Sequence, residues 1–65
     1  MSADLALGTR VAVRQPGQAE LETSWERVLT DIGPALGPVI VARITETLSD
    51  GRPYVGDGIS VRVVQ

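Results

Sequence analysis

The chain has 65 residues, no cysteine, no histidine, and eight acidic side chains against six basic ones, for a formal net charge of −2. That length holds one small domain and excludes a two-domain enzyme or a repeat array, while the missing Cys and His exclude disulfide bracing and the usual zinc ligand sets. A 43% hydrophobic share with 22% charged residues suits a globular chain, and because every basic residue is arginine within an acidic balance, the cationic surplus of a general nucleic-acid binder is absent.

Residues 1–8 carry no hydrophobic period and read as a flexible arm ahead of a single domain over 9–65. Asp4 stands where a signal peptide would place a base, so a cytoplasmic location is expected. The longest apolar run, Val39 to Ala42, is far below the roughly 18 residues of a membrane span. Thr9 to Arg14 alternates, with Val11 and Val13 to one side and Arg10, Ala12 and Arg14 to the other, the pattern of a half-buried strand. Gln15-Pro16-Gly17-Gln18 follows, with Pro and Gly at the two central positions of a type II turn.

The next segment supports two readings. Leu21, Trp25, Val28, Leu29 and Ile32 fall on one stripe of a helix running from Ala19 to Ile32, which is the preferred reading and makes Trp25 a core residue. Alternatively Thr23-Ser24-Trp25-Glu26 is a capping box with Thr23 as N-cap. The helix then begins at Ser24 and the preceding residues pair back on the first strand. Gly33-Pro34 ends the helix either way, and Gly33-Pro34-Ala35-Leu36-Gly37-Pro38 reads as a stiff connector to a strand.

Val39 to Leu48 is rich in β-branched residues and predicts a central strand, with Ile40, Ala42, Ile44 and Leu48 on one face and Val39, Val41, Arg43, Thr45 and Thr47 on the other. Asp50-Gly51 predicts a hairpin into Pro53-Tyr54-Val55, and Gly56-Asp57-Gly58 a second turn into the closing strand Ile59 to Val64. The expected fold is α+β, one amphipathic helix packed on a mostly antiparallel sheet of three to five strands in the order β-α-β-β-β. The alternative is an SH3-like small barrel with a helical insertion in its first loop.

These faces predict the functional surface. With the helix on one side of the sheet, the other presents Arg10, Arg14, Val39, Val41, Arg43, Thr45, Arg62 and Val64, an arginine–valine mixture without lysine that resembles interface composition. Tyr54, after a proline near a turn, is a candidate for stacking. No catalytic residue, metal ligand set or cofactor is expected, because the hydroxyls have no His or Lys to activate them and Asp50 and Asp57 sit in turn-forming contexts. The expected function is a non-enzymatic interaction or self-assembly module whose partner is a second copy or an acidic protein surface, not nucleic acid or a membrane. The alternative is a small barrel holding an anionic ligand or nucleic acid on a local arginine patch.

Overall fold

The computed structural model describes residues 4–65; residues 1–3 of the predicted arm lie outside the described residues. The elements run β1 (Arg10–Arg14), β2 (Leu21–Ser24), α1 (Trp25–Asp31), α2 (Gly33–Leu36), α3 (Pro38–Ser49), β3 (Tyr54–Gly56) and β4 (Ile59–Val63). All pairings are antiparallel, in the order β2-β1-β4-β3. The class is α+β as expected, with helices on one face of a four-stranded sheet. The sheet does not close, so the barrel alternative is not the fold.

Proline and glycine set the first turn. Gly17 has φ 74° and the Gln18 N–H bonds to the Gln15 carbonyl at 3.1 Å, which folds the chain back on β1. The hairpin therefore forms, and the helix that would have begun at Ala19 does not. Leu21, counted on the longer helix's apolar stripe, is instead a strand residue paired with Val13. The helix starts at Trp25, one residue later than the capping-box reading has it, with Ser24 and not Thr23 as its cap. Thr23 pairs with Val11 in the ladder, and Ser24, the last strand residue, stays extended opposite Arg10 with ψ 155° while its Oγ accepts the Arg27 N–H at 3.3 Å.

Val39 to Leu48 is not a strand but most of α3. Pro38 opens the helix at a position where its fixed φ is already helical and its missing N–H leaves no bond unmade. Ile40, Ile44 and Leu48 lie four apart, a spacing that places them on one side of both a strand and a helix. Ala42 separates the two geometries: a strand would turn it inward with them, and it is exposed. Ile44 and Leu48 are buried, with Ile40 and Val41 packed against the core beside them. Burial of that stripe outweighs the modest helix propensity of the β-branched residues. The Thr45 and Thr47 hydroxyls bond back to the Val41 and Arg43 carbonyls, each at 2.8 Å.

Asp50-Gly51 is accordingly a helix end and not a hairpin. Gly51, with φ 79°, sends its N–H to the Leu48 carbonyl, and the Arg52 N–H reaches the Thr47 carbonyl at 3.2 Å, the paired bonds of a Schellman motif. The two-residue hairpin lies further on. Gly56 pairs with Ile59, and Asp57 and Gly58 between them have φ 54° and 77°, as a type I′ turn requires.

The core is one layer between sheet and helices. Val11, Val13, Ile59 and Val61 rise from the central strands to meet Trp25, Val28, Ile44 and Leu48. The described part of the arm lies against this body: Leu5 packs on the core, and the Ser49 hydroxyl donates to the Asp4 carbonyl at 3.1 Å.

Candidate interaction face

Side chains alternate across a strand, so burying Val11, Val13, Ile59 and Val61 under the helices commits their neighbours to the opposite face. That face carries Arg10, Ala12 and Arg14 from β1, Glu22 from β2, Ser60 and Arg62 from β4, Val64 beyond it and Val55 from β3. No element packs over it among the described residues. Val55 is 80% exposed, the most exposed large hydrophobic side chain described. Between Val55, Ser60, Arg62 and Ala12 lies a shallow depression of about 180 Å³.

The residues predicted to share one surface fall into two groups. Arg10, Arg14, Arg62 and Val64 do lie on the bare sheet face. Val39, Val41, Arg43 and Thr45 do not, because they belong to α3 on the other side of the sheet. There Val39 is 63% exposed and Val41 packs against the core.

The face arginines are largely answered within the chain. Arg62 Nη2 lies 3.1 Å from a Glu20 carboxylate oxygen and Arg10 Nη2 lies 4.0 Å from one of Glu22. Arg14 has no ion-pair partner among the described residues. Ala12, small and buried, sits between its cross-strand neighbours Glu22 and Arg62, whose stems flank it. Exposed pairs of this kind contribute about 0–1 kcal/mol each, so they order the face more than they stabilise it.

Tyr54 stands opposite Val61 and so points to the helix side, where its ring packs against the core. Its hydroxyl donates to the Asp57 carboxylate across the turn. That bond raises the Tyr54 pKa above 10.0, with desolvation and the negative charge of Asp57 acting in the same direction and the positive charge of Arg43 opposing them. The ring is part of the hairpin's packing, and the stacking role expected of it has no free face on the core side.

No family model, curated protein or solved structure matches this chain. Its site must therefore be read from its own residues. Among those described, no cluster of acidic, His or Cys side chains could hold a metal ion, and no helix is long and apolar enough to cross a membrane. The sequence reading missed Val55, Glu20 and Glu22 as members of the face. Their signal was present in the hairpin alternative, where period-two alternation sets Glu22 beside Arg10 and Ala12.

Proposed function

We propose that this chain is a small non-enzymatic interaction module that works through the bare face of its sheet and the free edge beside it. The observation that carries this reading is the one-sided cover of the sheet, which leaves Val55 80% exposed at one end of the bare face, with the partly buried Val64 at the other. An antiparallel sheet can leave a polar face in water, but water gives no reason to place valine at its rim. Size points the same way. A chain near 65 residues buries only about 60% of the surface of its unfolded form, and such domains are commonly supplemented by association. A non-catalytic role is supported by the hydroxyl chemistry: Thr30, Thr45 and Thr47 donate their protons to helix carbonyls, and the sequence holds no His, Cys or Lys to activate any hydroxyl. The arginine-patch alternative is weakened by the carboxylates already beside Arg10 and Arg62 and by the placement of Arg43 on α3.

Light scattering on the full chain tests the self-assembly form of this reading. An oligomer at micromolar concentration, dispersed by Val55→Asp with the circular dichroism unchanged, is the expected result. A folded monomer indifferent to that substitution removes self-assembly and leaves only a foreign partner for the face.

A further inference from the structure

We propose that the free edge of β2, with the groove between β2 and α1, accepts an extended segment of another protein as a fifth strand, and that this segment alternates basic with apolar residues. The proposal rests on the interaction-module reading and names the class of partner.

The two ends of the sheet are not equivalent. In an antiparallel ladder, alternate residues turn their main chain toward one neighbour and then toward the other side. Opposite Gly56–Ile59 and Tyr54–Val61, only Val55 of β3 turns outward, and the preceding Pro53 has no N–H to offer. That edge is short and guarded. At the other end the Trp25 N–H bonds to the Thr9 carbonyl, which makes Thr23 with Val11 and Leu21 with Val13 the hydrogen-bonded pairs. Glu22 therefore turns both its N–H and its carbonyl away from β1, with no proline in the strand.

A strand added there meets two different surfaces. On the helix side it borders a groove of about 230 Å³ floored by Leu21, Thr23, Val28 and Ile32 and rimmed by the Arg27–Asp31 ion pair. Leu21 is 61% exposed over that groove, so an apolar row on the incoming strand has a surface to cover. On the bare side the other row falls beside Glu20 and Glu22. Those carboxylates already face arginines inward, at 3.1 Å and 4.0 Å, yet both remain half exposed, with acceptor capacity outward. β1 itself, Arg-Val-Ala-Val-Arg, is the pattern β2 accepts on its inner side. The outer side offers the same carboxylates to a basic row and a groove to an apolar one. A two-fold pairing of β2 with a second copy, centred on its outward residue, would instead set Glu22 opposite Glu22, and like charges in that position repel.

The test uses a labelled peptide, acetyl-Arg-Val-Arg-Val-Arg-Val-amide, titrated with the full chain by fluorescence anisotropy, beside a counterpart with Glu for each Arg. The arginine peptide is expected to bind at least about tenfold more tightly than the glutamate one, with an affinity that falls as salt is added. Glu22→Pro places a proline where the N–H bonds to nothing among the described residues; it should keep the circular dichroism spectrum and weaken peptide binding by about tenfold or more. Amide exchange on the unaltered chain gives an answer independent of that variant's folding: bound peptide should slow exchange at Glu22 and not at Val55. Equal binding of the two peptides, protection at Val55 instead, or an oligomer that Glu22→Pro disperses would each overturn the proposal, the last by making a second copy the occupant. Absence of peptide binding while Val55→Asp still breaks an oligomer overturns the edge alone. Absence of both overturns the edge and self-assembly together, and leaves of the module reading only a foreign partner on the sheet face.

Discussion

Ser24 shows how much one side chain decides. The first three N–H groups of α1 have no carbonyl within the helix. The Trp25 N–H goes to the Thr9 carbonyl at 2.8 Å, the Glu26 N–H to the Leu7 carbonyl at 2.9 Å, and the Arg27 N–H to the Ser24 Oγ. Only the last is supplied by a side chain, so Ser24→Ala should cost about 1 kcal/mol in urea denaturation, while Thr23→Ala, one residue earlier and not a cap, should cost less. A larger loss at Thr23 would return the cap to that residue. Tyr54 sets the behaviour of the β3–β4 turn in alkali. Its hydroxyl must keep its proton to donate to Asp57, and its pKa in the fold is raised above 10.0. The stabilisation is thus complete below pH 10.0 and is lost as pH rises through the higher folded value. Ultraviolet titration should give a tyrosine midpoint above 10.0 that moves back down in Asp57→Asn.

At the scale of elements, α3 is the segment whose residues favour one structure and whose surroundings impose another. Six of its first ten residues are Val, Ile or Thr, a strand composition, but the apolar stripe satisfies a helix equally well and Pro38 starts one. Paired substitutions distinguish the geometries. Ile44→Ala, at a fully buried site, should lower stability by about 2–5 kcal/mol, whereas Ala42→Glu should shift it by no more than about 0.5 kcal/mol because that position faces water. A strand would have made both changes costly. Elsewhere local chemistry was sufficient to read: β1 by its alternation, the Pro16-Gly17 turn and the closing strand, whereas Gly33–Leu36, read as part of a connector, is the short helix α2 with Pro34 in its first turn. The signals of the first three lie within a few residues of chain, although β1 and the closing strand pair with each other across the whole sequence. Asp-Gly was legible as a place where the chain turns, but the same dipeptide caps α3 at 50–51 and forms the hairpin at 57–58, and only the length and conformation of what precedes it separates the two.

On the scale of the whole molecule, a thin core of four sheet and four helix residues supports a sheet with one covered face. If association completes the fold, stability is linked to protein concentration by mass action. Differential scanning calorimetry over a hundredfold range of concentration should show a rising Tm, and a constant Tm would argue for a self-sufficient monomer. The sequence by itself determined the α+β class, the first and last strands, the exclusion of disulfides and the alternation that puts Arg10, Arg14 and Arg62 on one side. These follow from composition and from periods of two residues, which are local quantities. Tertiary structure alone decided that Leu21 lies in an edge strand, that Val39 to Leu48 is a helix, and hence that Arg43 leaves the arginine face while Glu20 and Glu22 join it. The physical reason is that a stripe spaced by four residues is buried as well by a helix as by a strand, and only the partner it packs against settles which forms.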